Sequence, residues 1–113
     1  MNIQVFGTKK SFDTKKAQRY FKERRVRFQF VDLKEKGMSR GELESVARAV
    51  GGVDALVDPK AKDQDLVALL AHLAPDQKFD KLLENQHVLA VPVVRNGRQA
   101  TVGYAPDVWK GWE

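Results

Sequence analysis

A glycine loop between a short apolar strand and a basic helix holds the residues of this chain that could do chemistry. Gly7 ends the apolar run, Ser11 follows in the loop, and Thr14 lies in the first turn of the helix. The first N–H groups of a helix are unpaired and carry partial positive charge, so such a loop can hold an oxyanion. Hydroxyl and ammonium groups would donate to the same anion. Around Ser11, the candidate anion-binding or thiol-binding residues are Gly7, Thr8, Lys9, Lys10, Thr14 and Lys15.

The same loop has a structural interpretation. Ser11 and Asp13 are good helix N-caps, because their side-chain oxygens can accept hydrogen bonds from free backbone N–H groups. On sequence alone, the capping role outranks ligand binding for Ser11. A serine nucleophile needs an adjacent base, and His72 and His87 each stand alone without the acid that a triad requires. Two distant histidines and no cysteine also offer no set of metal ligands.

The composition is that of a single compact domain. The 113 residues are 42% hydrophobic and 31% charged, and no apolar run approaches the length needed to cross a bilayer. The N-terminal segment lacks the basic and apolar regions of a secretion signal. We therefore expect a cytoplasmic protein that does not contact a membrane.

Positive charge is concentrated near the N-terminus. Residues 9–27 hold nine Lys and Arg against Asp13 and Glu23, so this segment carries +7 and the rest of the chain −2. Such asymmetry predicts a surface that attracts anions, although a solvated helix face explains it equally well. A small anion or an acidic protein surface are the favoured partners. Nucleic acid is disfavoured, because the basic stripe lacks interleaved aromatic side chains and no known motif accompanies it.

The hydrophobic patterns on either side of the glycine loop predict an α/β protein with a four-stranded mixed sheet. Residues 2–6 and 26–31 alternate as strands, and Ala17, Tyr20 and Phe21 recur between them at helical spacing. A capping box at Ser39 and a proline at the start of a second apolar stripe predict a helical insertion over about residues 39–85. An apolar run from Val88 to Val94, interrupted by Pro92, predicts the first strand of a closing hairpin, and Asn96-Gly97 predicts its type I′ turn.

The segment from Val5 to Ala17 resembles the N-terminal motif of the arsenate reductase (ArsC) family and its Spx and ArsC-like relatives. The similarity continues through residues 28–33, 56–58, 91–97 and 103–104. It implies that residues 1–113 form one thioredoxin-like domain, with Ser11 where the family has its reactive cysteine. It also implies that Pro92 is a cis-proline facing the loop, against the general preference of Val-Pro bonds for trans.

The resemblance implies a reductase scaffold, but this chain departs from it in two ways. The chain has no cysteine, which excludes thiol redox catalysis. Val91 stands where arsenate reductases have an arginine, and the arginines expected from the insertion and the C-terminal segment are also missing. We therefore expect that arsenate is not the substrate.

Two functions follow from the resemblance. The first is a redox-inactive pseudoenzyme of the ArsC-like, glutathione-linked branch, in which the loop and Pro92 hold a small anion or thiol. No bound cofactor is expected, and the resemblance points to glutathione as the ligand. The alternative is an Spx-like protein-interaction or transcription regulatory module whose basic helix binds an acidic protein.

Overall fold

The computed structural model describes residues 1–112. Its centre is a four-stranded sheet in the order β2-β1-β3-β4, where β1 is parallel to β2 and antiparallel to β3, and β3 and β4 form a hairpin. This mixed sheet confirms the predicted fold class. Within residues 1–112, no helix is both long enough and apolar enough to cross a membrane. The strands are β1 Ile3–Gly7, β2 Phe28–Asp32, β3 Val93–Asn96 and β4 Gln99–Val102.

Helix α1 (Phe12–Glu23) connects β1 to β2 and covers one face of the sheet together with the short C-terminal helix α5 (Pro106–Lys110). Ala17, Tyr20 and Phe21 are buried, as their spacing predicts. Trp109 of α5 is fully buried in the same cluster, and its indole Nε1 donates a hydrogen bond to Thr101 Oγ1 at 2.8 Å. This face therefore has an aromatic core.

The helical insertion covers the opposite face, where Phe6 and Val93 of the sheet enter its core. The capping box predicted at Ser39 is present, because Ser39 and Glu42 exchange hydrogen bonds at the start of the first helix. That helix ends at Gly51, which takes the left-handed φ of 89° that favours glycine. The insertion consists of α2 Arg40–Val50, α3 Gln64–Ala71 and α4 Pro75–Glu84, with 3-10 turns at Val53–Leu56 and Gln86–Val88.

Two local expectations were wrong by a few residues. Asn96 belongs to β3, so the hairpin turn is Gly97-Arg98, and Gly97 takes the positive φ of 60°. Glycine at the first central position is typical of a type II′ turn rather than type I′. The strand expected from residue 88 begins at Val93, because Pro92 has no N–H for the ladder. The Val91–Pro92 peptide bond is cis, which confirms the expectation from the resemblance.

Candidate functional site

Ser11 is the N-cap of α1. Its Oγ accepts a hydrogen bond from Thr14 N at 3.1 Å, and its own N–H donates to Thr8 O at 3.2 Å. The capping role predicted for Ser11 is therefore confirmed. The N–H groups of Phe12 and Asp13 have no hydrogen-bond partner within residues 1–112, so the start of the helix still has donors for an anion.

Gly7 and Thr14 are both buried and lie against each other behind the loop. A Cβ atom on Gly7 would lie 2.6 Å from Thr14 Cγ2, which is closer than two carbon atoms can approach without displacement. Thr14 Oγ1 has no hydrogen-bond partner among residues 1–112. Because Thr14 is fully buried, an anion that approached the start of α1 would meet Ser11 and the free N–H groups first.

The lysines of the loop lie around the start of the helix. Lys9 and Lys10 are exposed in the turn that follows β1, and Lys15 is exposed on α1 with its Nζ 5.6 Å from the centre of the Phe12 ring. No carboxylate of the described chain lies within 4 Å of these three ammonium groups. They add positive potential to the loop without being held in ion pairs.

A cleft of about 380 Å³ opens beside the loop, on the side of the helical insertion. We call it the basic cleft. Thr8 brings the loop into its wall, and Val91 lines it next to the buried Pro92, which is outside the lining. Ser11 is three residues from Thr8 and outside the lining. The lining residues are Thr8, Leu33, Lys34, Asp58, Lys60, Ala61, Lys62, Gln86, His87, Leu89 and Val91.

The charge of the basic cleft is positive. Lys34, Lys60 and Lys62 line it, and within residues 1–112 none of them has a carboxylate oxygen within 4 Å. The Asp58 carboxylate makes a hydrogen bond within its own loop, because its Oδ1 accepts from Lys60 N at 2.9 Å. Leu33, Leu89 and Val91 supply apolar wall between these charges. The cleft therefore suits a small anion that also has an apolar part.

His87 lies at the rim of the basic cleft and is paired with Asp63. From the sequence, this histidine was expected to have no acidic partner. His87 Nε2 lies 2.8 Å from Asp63 Oδ2, and the other carboxylate oxygen of Asp63 accepts from Leu66 N at the start of α3. The hydrogen bond from His87, and then the one from Leu66 N, lower the pKa of Asp63 below its ordinary value of 3.8. An ionised Asp63 fixes the orientation of the imidazole ring.

Most residues of the basic cleft were not among the predicted site residues. Lys34 follows β2, whereas Lys60, Lys62 and His87 belong to the insertion. One signal in the sequence did point to the basic cleft. The predicted order of strand, helix and strand implies that β1 and β2 are parallel, as they are, and ligands of α/β proteins bind beyond the carboxyl ends of such strands. Thr8 and Leu33 come directly after those ends, and Lys34 follows Leu33. Of the predicted site residues, Thr8 lines the cleft and Pro92 only adjoins its lining residue Val91, whereas Lys15 lines a different depression.

No protein-family model and no curated protein sequence matches this chain. Solved structures do match it over nearly its whole length. An ArsC-family-related protein from Bacteroides fragilis superposes with a TM-score of 0.86 at 16% identity, covering 100% of this chain and 98% of the other. An arsenate reductase from Vibrio cholerae gives 0.82 at 20%, covering 96% and 94%.

A third match is an arsenate reductase (ArsC) related protein from Brucella melitensis, with a TM-score of 0.66 at 16% identity, covering 99% of this chain and 94% of the other. At such identities the likeness establishes the fold. The chain therefore has the thioredoxin-like fold of ArsC-type structures, as the resemblance of its loop implies.

Proposed function

We propose that this protein is an ArsC-like domain that binds a small anionic thiol of the glutathione class, without reducing or oxidising it. The observation that carries this proposal is the basic cleft, which joins the loop at Thr8 to the cis peptide bond at Val91. Glutathione has two carboxylates and one ammonium group, so its net charge is −1, and a short peptide body carries the thiol. Unpaired lysines at the rim suit the carboxylates, and apolar side chains in the wall suit the methylene groups.

The absence of cysteine limits the chemistry. Ser11 stands at the N-cap of α1, where a thiol would be activated by the positive end of the helix. Within residues 1–112 the Ser11 hydroxyl has no base beside it: its Oγ is bonded to Thr14 N, and the His87–Asp63 pair belongs to the basic cleft, whose lining does not include Ser11. The pocket can therefore hold a thiol or its disulfide but has no nucleophile with which to exchange it.

The binding proposal is tested by titrating the protein with glutathione and following backbone amide signals by NMR. We expect shifts at Thr8, Leu33 and Val91, and weaker binding in a Lys60→Glu variant. Removing one charge-assisted hydrogen bond to the ligand should weaken binding by about ten-fold. Lys36→Glu is the matched control, since Lys36 is exposed near Lys34 but does not line the cleft. Equal affinity in all three proteins would contradict the proposal.

The inherited chemistry is tested by Ser11→Cys. The start of α1 should lower the pKa of the new thiol below its ordinary value of about 8.5, so that iodoacetamide modifies it rapidly at neutral pH. Its thiolate should attack one sulfur of glutathione disulfide, forming a mixed disulfide and releasing one glutathione thiolate. The wild type should show no glutathione-linked turnover.

Ala49→Cys provides the comparison for this reaction, because Ala49 is exposed in the last turn of α2 and not at the start of that helix. If Cys at position 11 reacted no faster than Cys at position 49, the loop would not activate sulfur. The proposed origin of the site in thiol chemistry would then be wrong, whatever the result of the glutathione titration.

A further inference from the structure

The outer surface of α1 carries positive charge separate from the basic cleft, on the face of the sheet opposite the insertion. Two shallow depressions of about 390 and 340 Å³ run along the helix and share Arg19 in their linings. We call them together the α1 groove. Glu23 is the acidic residue that lines it in the described part of the chain. The basic residues that line it are Lys15, Lys16, Arg19, Lys22 and Arg24.

These cations are not held in ion pairs by any residue that the structure describes. Within residues 1–112, no carboxylate oxygen lies within 4 Å of any of their side-chain nitrogens. Arg24 instead stacks on the buried Tyr20 ring, 3.8 Å from its centre. The five cations of this lining repel one another, and Glu23 offsets one of their charges. An anionic partner would relieve the remaining repulsion.

Two exposed aromatic rings lie beside the same cations. Phe12 is 78% exposed and Tyr104 is 44% exposed, although both are large hydrophobic residues. Lys15 Nζ lies 5.6 Å from the centre of the Phe12 ring, and Lys16 Nζ lies 5.6 Å from that of Tyr104. The Tyr104 ring is held edge-on against the buried Trp109, with ring centres 5.5 Å apart at 84°. The groove thus combines cations with accessible rings.

We propose that the α1 groove binds single-stranded nucleic acid, with phosphates against the basic side chains and bases stacked on Phe12 and Tyr104. Positive charge alone would also suit an acidic protein. The aromatic rings favour nucleic acid, because every nucleobase has a face that stacks on an aromatic side chain, whereas the carboxylates of an acidic protein do not stack. The sequence disfavoured nucleic acid because no aromatic side chains were interleaved with the basic stripe, but folding brings Tyr104 to Lys16 and leaves Phe12 exposed.

The test measures fluorescence anisotropy of a short, labelled, mixed-sequence single strand, as RNA and as DNA, with the purified protein. The matching duplex and poly-glutamate are the competing probes. We expect tighter binding of the single strands than of either competitor. If five cations contact phosphates, the logarithm of the binding constant should fall with the logarithm of salt concentration with a slope of about −3.5.

Matched variants separate charge from stacking. Arg19→Glu should weaken binding strongly, whereas Arg48→Glu changes the charge equally on exposed α2, across the sheet, and should leave binding unchanged. Phe12→Ala should weaken binding by about five-fold or more, whereas Leu69→Ala, which also removes an exposed apolar side chain, should not. Phe12→Tyr should restore affinity. Circular dichroism verifies that each variant is folded.

Three results would overturn the proposal. The first is no binding of any single strand at low salt, and the second is equal affinity for single strands and duplex with no effect of Phe12→Ala. The third is a preference for poly-glutamate, which would assign the groove to an acidic protein. Glutathione binding in the Arg19→Glu variant should match that of the wild type, because Arg19 does not line the basic cleft.

Discussion

Replacing Trp109 with alanine is expected to lower the free energy of unfolding by about 3–5 kcal/mol. Trp109 is fully buried between the sheet and α1, with its ring 5.3 Å from Tyr20 and 5.1 Å from Phe21, measured between ring centres. The substitution leaves a large cavity and also removes the indole donor from the buried Thr101 hydroxyl. Chemical denaturation of the two proteins measures the difference.

Val108→Ala is the control for this prediction, because Val108 lies on the same short helix but is 50% exposed. Its effect should stay within about 0.5 kcal/mol. A Trp109→Ala effect no larger than that of Val108→Ala would show that α5 does not contribute to the core. The conclusion that Trp109 belongs to the aromatic core under α1 would then be wrong.

Gly7→Ala is expected to destabilise the protein by about 1–3 kcal/mol, because the added methyl group has no space. Its carbon would lie 2.6 Å from Thr14 Cγ2 and 3.0 Å from Thr14 Cβ. Thr14 is fully buried in α1 and cannot rotate away, so either the helix or the strand must shift. Because Thr8 follows Gly7 into the basic cleft, glutathione binding should weaken as well.

The double variant Gly7→Ala/Thr14→Ala tests this mechanism, since it removes the two side-chain atoms of Thr14 beyond Cβ. We expect it to be more stable than Gly7→Ala alone, with Thr14→Ala near the wild type because Thr14 Oγ1 makes no hydrogen bond within residues 1–112. Denaturation curves of all four proteins give the coupling energy. A coupling energy of zero would mean that contact with Thr14 is not why position 7 is glycine.

Local sequence patterns were sufficient for most of the secondary structure. The capping box of Ser39 and Glu42, the start of α4 at Pro75 and the N-cap at Ser11 all depend on residues a few positions apart. Interactions over so few residues are visible in the order of the chain itself. The errors in the hairpin turn and in the start of β3 amounted to a few residues. They arose because the exact register depends on pairing between strands, which local sequence patterns do not show.

The sequence by itself determined that this protein has no thiol, that its first helix is strongly basic and that Ser11 occupies the start of that helix. Tertiary structure decided where ligands can bind. Lys34 and Lys60 line the same cleft as Thr8, because β1 and β2 pair in parallel and the insertion folds back over the ends of these strands. Tyr104 reaches Lys16 from the far end of the chain in the same way. Such contacts join segments that are distant in sequence, and only the packing of the folded chain brings them together.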